Sequence, residues 1–185
     1  MKTLFLLTMV TAVAATSFGK VKGDEVIYVA SIVEKTVSSF AVHPDSGELT
    51  KLSSLVLPES PGAMDLSPNG KHLYVAMAGR DEKTNQATAF VATLERQEDN
   101  TLLLSAVAKI ATRPPYIRAD DSGRYLMMAH YGTGEINVYR IQDGIVTAEH
   151  LDYHKTEKTA HCVEMDPSGR FVYVPHTTPN AIYQY

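Results

Sequence analysis

Met165-Asp-Pro-Ser-Gly-Arg-Phe-Val-Tyr-Val174 contains an apolar strand end, a tight turn and a second apolar strand. Proline or aspartate opens such a turn, and glycine takes the positive φ that a side chain resists. The same design appears as Leu66-Ser-Pro-Asn-Gly-Lys-His-Leu-Tyr-Val75 and as Ala119-Asp-Asp-Ser-Gly-Arg-Tyr-Leu-Met-Met128. Each copy is a β-hairpin signature. Their recurrence at a fixed distance marks a repeat architecture.

Gly70 and Gly123 lie 53 residues apart, and Gly123 and Gly169 lie 46 apart. Tyr28-Val29 precedes Tyr74-Val75 by 46. A period of about 40 to 50 residues with four strands per repeat is that of a β-propeller blade. Val37 to Val42, Ala87 to Leu94, Glu135 to Ile141 and Ala181 to Tyr185 fall at the third-strand position. Glu48 to Leu52, Thr101 to Ala108 and Ile145 to Leu151 fall at the fourth, with Gly47, Asn100 and Gly144 in the turns before them. No segment keeps a 3.6-residue apolar period, so the chain is expected to be all-β. The count is three strands of a first blade, two full blades, and two or more strands of another. A closed ring needs at least about four blades. The chain is therefore expected to be the N-terminal part of a longer one, truncated at its C-terminus, with the first blade awaiting an inner strand from the far end.

Residues 1–19 stand apart from this pattern. Lys2 precedes the apolar run Leu4 to Val13, and small residues follow from Ala14 to Gly19. That order is the layout of a secretory signal peptide, and the run is too short for a bilayer anchor. The expected organisation is a leader over 1–19 and a partial propeller over 20–185, in a secreted or periplasmic protein with no membrane span once the leader is cut. Hydrophobic residues make up 44% of the 185 residues and charged ones 21%, a globular balance. The net charge of -4 gives no basic stripe, so no nucleic-acid partner is expected. Cys162 is the only cysteine, which excludes an intramolecular disulfide. It follows His161 but faces the other side of its strand and reads as a small packing residue.

In an antiparallel blade the start of the first strand and the end of the second lie at the same rim. His161 starts a first strand, His176 ends the second strand of that blade, and His130-Tyr131 ends that of the preceding blade. These residues are expected to converge on one mouth of the central channel, where propellers gather polar groups into a concave site. Asp65, Arg118 and Glu164 occupy one position in three successive first strands. Their alternating sign fits ion pairs between blades. The other reading has Arg118 holding a substrate carboxylate or phosphate, with Arg113 and Tyr116 as lesser candidates on the same approach. Three rim histidines raise the thought of a metal, but their spacing lacks a metal-ligand pattern, and none is expected.

The ordered set of segments resembles the seven-bladed β-propeller lactonases, the 6-phosphogluconolactonase-like family. Ala129-His-Tyr-Gly-Thr-Gly-Glu-Ile-Asn-Val-Tyr139 is similar to that family's Ala-Asn-Tyr-x-x-Gly-x-x-x-Val-Tyr stretch. Ser39 to Thr50 looks like its first-blade segment, and His161 to Val174 like its His-x-x-x-x-Asp-Pro-x-Gly-Arg-Phe stretch. Two departures stand out. His130 replaces a common Asn, and His176-Thr177-Thr178 replaces a frequent Asp-Leu-Gly.

The resemblance implies about half of a seven-bladed ring of four-stranded antiparallel blades. It implies a hydrolase that opens a sugar lactone or related cyclic ester without a cofactor, a small-molecule lactone being its partner. His161 matches a histidine that the family and its carboxymuconate-cyclase relatives use, or are proposed to use, in the active site. The substrate-binding candidates are Arg118, His130, Tyr131 and His176. The alternatives are a non-catalytic exported propeller acting as a binding or scaffold module, or a muconate-type cycloisomerase.

Overall fold

A computed structural model describes residues 11–14 and 25–185. Among them there are strands and turns and no helix, and the strands form four separate antiparallel sheets. The first sheet runs β1 (Thr11–Ala14), β2 (Glu25–Ser31), β3 (Thr36–Val42), β4 (Leu49–Val56). The second runs β5 (Ser60–Leu66), β6 (His72–Arg80), β7 (Ala87–Arg96), β8 (Leu102–Ile110). The third runs β9 (Tyr116–Ala119), β10 (Tyr125–His130), β11 (Glu135–Gln142), β12 (Ile145–Lys155). The fourth runs β13 (Glu164–Met165), β14 (Val172–His176), β15 (Ala181–Gln184). This is a partial β-propeller, as the repeat predicts.

The turns form for the reasons read from the sequence. Gly70, Gly123 and Gly169 have φ of 68°, 67° and 68°, and Gly47, Asn100 and Gly144 also take positive φ before their fourth strands. Asp166 and Asp120 hold their hairpins by the same bonds. The Asp166 carboxylate accepts from the N–H of Arg170 (3.0 Å), Phe171 (2.9 Å) and Ser168 (3.1 Å). Asp120 accepts from Arg124 (2.8 Å), Tyr125 (2.7 Å) and Ser122 (3.1 Å).

The sheets pack face to face, and the second strands show why. Leu73, Val75 and Met77 of β6 point to the first sheet, with Tyr28, Ala30, Val37 and Leu57. Tyr74 and Ala76 point the other way, to Ile117, Leu126 and Met128 of the third. Met127 and Ala129 then meet Val163 and Val174 of the fourth. Side chains alternate between faces along a strand. A strand apolar at every position is therefore one whose two faces are both covered. Polar bonds pin the same interfaces. Ala119 N–H donates to Asp65 Oδ2 (2.7 Å), Tyr74 Oη to the Gly144 carbonyl (3.1 Å), and Ala111 N–H to Tyr139 Oη (3.1 Å). Burial pushes the Tyr74 phenol up to about 12, so it stays a proton donor at neutral pH.

One detail differs from the sequence reading. The first sheet has four strands, because Thr11–Ala14 pairs antiparallel with β2, Thr11 opposite Ala30 and Ala14 opposite Ile27. The inner edge of β2 presents unpaired N–H and C=O groups, which an extended apolar segment satisfies. The rest of the expected leader lies outside the described residues.

Candidate active site

The chain between β12 and β13 is laid on the turn that follows β10. Thr156 N–H donates to the Gly134 carbonyl (2.8 Å) and Thr159 N–H to the Tyr131 carbonyl (2.7 Å). Gly134 has φ +73°, and a Cβ there would sit 2.1 Å from the Glu157 carbonyl oxygen. Only glycine lets the two backbones approach so closely. This docking delivers Ala160, which bridges to His176, and then His161, whose N–H donates to the Pro175 carbonyl (2.9 Å).

The His161 ring is exposed and meets the Tyr131 ring edge to face, with centroids 6.0 Å apart. Tyr131 Oη and Thr177 Oγ1 are 3.0 Å apart and share a hydrogen bond. An open cavity of about 440 Å³ is lined by His161, Pro175, His176, Thr177, Asn180, Ala181 and Ile182. His161 and His176 line this cavity, and Tyr131 adjoins it through its contacts with the His161 ring and Thr177.

His176 contributes to the cavity wall but is 3% exposed. A carbonyl oxygen can only accept, so His176 Nδ1–H donates to Val174 O (3.0 Å). Its Nε2 faces Thr156 Oγ1 at 2.7 Å. Both ring nitrogens are occupied, so the ring positions its neighbours and has no free nitrogen for a ligand. His130 is 4% exposed and does not line the cavity, with Nδ1 on Thr112 Oγ1 (3.0 Å) and Nε2 buried without a partner among the described residues. Burial holds its pKa below the ordinary value of 6.5, the Glu135 carboxylate opposing weakly.

Arg118 does not line the cavity. Its guanidinium lies 3.7 Å from Asp65, 3.7 Å from Glu164 and 3.9 Å from Asp121, so three carboxylates surround one cation. Tyr116 Oη donates to Glu164 Oε1 in the same group. Burial raises the Asp65 carboxyl, against the bond from Ala119 and the charge of Arg118. The ion-pair reading of these aligned positions matches the geometry. Among the described residues, His, Cys, Asp and Glu side chains form no group of three placed to hold a metal ion.

Thr112, Thr156, Thr159, Thr177 and Gly134 shape the site and were not singled out from the sequence. Thr177 had a signal in the departure at His176-Thr177-Thr178. The others act through inter-blade contacts that a linear pattern does not display.

An exposed imidazole beside two hydroxyls can take a proton from water and donate hydrogen bonds to a developing oxyanion. Residues 26–185 match the family described as "Lactonase, 7-bladed beta-propeller". The chain is 28% identical over 153 residues to the 6-phosphogluconolactonase of Pectobacterium carotovorum and 24% identical over 151 residues to that of Yersinia enterocolitica. These alignments cover 82% of this chain and 43% of each relative, so the chain spans less than half their length. A solved protein from Lactobacillus plantarum superposes with a TM-score of 0.69 at 20% identity, over 88% of this chain and 48% of that one. The periplasmic gluconolactonase of Pseudomonas aeruginosa superposes with a TM-score of 0.67 at 16% identity, over 80% and 45%. With the blade repeat, the sheet topology and a family match over nearly the whole described chain in agreement, this chain belongs to the seven-bladed β-propeller lactonase family.

Proposed function

We propose that the protein carrying this chain hydrolyses a lactone, with His161 as the general base. The observation that carries the reading is the exposed His161 ring beside an open cavity, on a segment docked through Thr156 and Thr159 and with Tyr131 and Thr177 nearby. Water loses a proton to the imidazole and attacks the lactone carbonyl. We assign the oxyanion contact to the Tyr131–Thr177 hydroxyl pair, whose mutual hydrogen bond uses one proton and leaves the other to donate. The ring C–O bond then breaks, the leaving alkoxide takes the proton back, and the product is a hydroxy acid. Histidine is the side chain whose ordinary titration falls near neutrality, which suits both transfers. The leader-like order of residues 2–19 and the likeness to a periplasmic gluconolactonase support export and a lactone met outside the cytoplasm; cleavage of that leader would free the β2 edge that Thr11–Ala14 occupies.

The test is a panel of aldonolactones given to the protein expressed from its complete reading frame. Hydrolysis above the blank rate is expected for at least one of them. His161→Gln lowers kcat/KM by about 100-fold or more, the usual contribution of a general base. A blank rate for every lactone, or an unaffected His161→Gln protein, removes the reading.

A further inference from the structure

Two arginines come from the inner-strand region, and their surroundings differ. Arg118 is compensated by three carboxylates. Arg113 has no ion-pair partner among the described residues and is exposed. Its side chain lies over the backbone of β5. A Cβ built on Gly62 would fall 2.6 Å from Arg113 Nη2 and 2.9 Å from Nε, so the glycine makes the room that the guanidinium occupies.

The backbone that carries Arg113 is restrained on both sides. Thr112 is tied to His130 Nδ1 (3.0 Å), and the Ala111 N–H to Tyr139 Oη (3.1 Å). Pro114 and Pro115 follow, which fixes their φ and keeps Arg113 extended. The anchor residue His130 immediately precedes Tyr131, whose ring packs on His161. Arg113 is thus a cation without an ion-pair partner among the described residues, carried on a restrained backbone at the same end of its blade as the candidate base. An arginine fork suits a carboxylate or phosphate through paired N–H donors. Around Arg118, Asp65, Asp121 and Glu164 outnumber the one cation, so an anionic group is repelled there and favoured at the Arg113 side.

We propose that Arg113, seated on Gly62, holds an anionic group on the substrate, a carboxylate or a phosphate monoester remote from the lactone ring. The proposal rests on the lactonase reading for its substrate but not for the anion site itself.

The experiment uses the protein from its complete reading frame and three substrates: neutral gluconolactone, D-saccharolactone with a free carboxylate, and 6-phosphogluconolactone. Arg113→Met raises KM for an anionic lactone at least about tenfold more than for the neutral one, the scale of a lost charged hydrogen-bond pair. Arg113→Lys recovers part of that loss. Gly62→Ala, whose Cβ displaces the guanidinium, shifts KM in the same direction. The more affected anionic substrate tells carboxylate from phosphate. Equal effects on all three lactones, or none, overturn the proposal. Calorimetric titration with 6-phosphogluconate separates the two readings. If no lactone turns over, Arg113-dependent binding retains the anion seat and discards the lactonase reading, while binding indifferent to Arg113→Met discards the seat.

Discussion

His130 is a buried imidazole kept neutral by its surroundings, and the sign of its pH effect follows. The folded protein binds its proton less readily than the unfolded chain, so stability falls as pH drops below about 6.5, the unfolded value, until the folded value is passed. Thermal midpoints between about pH 7 and pH 5 are expected to decline, and His130→Asn to flatten the decline. An identical slope in the variant shows that other groups set it. Arg118 yields a second prediction at this scale. Asp65, whose side chain is 13% exposed, loses its cation in Arg118→Met while Ala119 N–H still donates to it. Breaking the pair costs about 1–3 kcal/mol, read from chemical denaturation. The site candidates could be named from the sequence because strand direction fixes which ends share a rim. Their roles could not. Whether a rim histidine stays exposed, as His161 does, or is buried and bonded to a threonine, as His130 and His176 are, depends on the linker arriving from the preceding blade.

At the scale of elements, the turn after β10 does two jobs. It closes a hairpin, and it supports the segment leading to His161. Gly134→Ala meets both the positive φ and the Glu157 carbonyl, so a loss of about 2 kcal/mol or more is expected. Its distinguishing readout is activity. If the segment positions His161, kcat/KM falls at temperatures where circular dichroism shows the variant folded. Retained activity there means that the docking serves stability alone. The hairpin elements were fully legible, since the Asp-x-Ser-Gly-Arg pattern is itself the bonding scheme seen at Asp120 and Asp166. The second and third strands matched their sequence positions for a similar reason, because unbroken apolar runs such as Leu73 to Met77 require two covered faces. Bulges in the fourth strands, at Leu52 opposite Ser39/Phe40, Ser105 opposite Thr93/Leu94 and Leu151 opposite Val138/Tyr139, had no sequence cue, because they accommodate the twist of neighbouring strands.

For the molecule as a whole, stability comes from sheet-to-sheet contact, and a sheet without a neighbour leaves apolar surface in water. Ile182 on β15 is 69% exposed, and Tyr185 beyond it is also exposed. This chain by itself is therefore expected to self-associate with concentration, as judged by light scattering, and Ile182→Lys to reduce the association. Unchanged scattering in the variant would place the contact elsewhere, on the apolar outer strands β4 and β8. What the sequence determined alone was the blade: its period, its turns and the alternation that covers both faces, all set by interactions between residues close along the chain. What only the tertiary structure decided was which side chains meet across successive sheets. Arg118 between Asp65 and Glu164, Arg113 over Gly62 and His176 on Thr156 are contacts between residues 20 or more positions apart. Their distances depend on how successive sheets pack, a quantity no local pattern encodes.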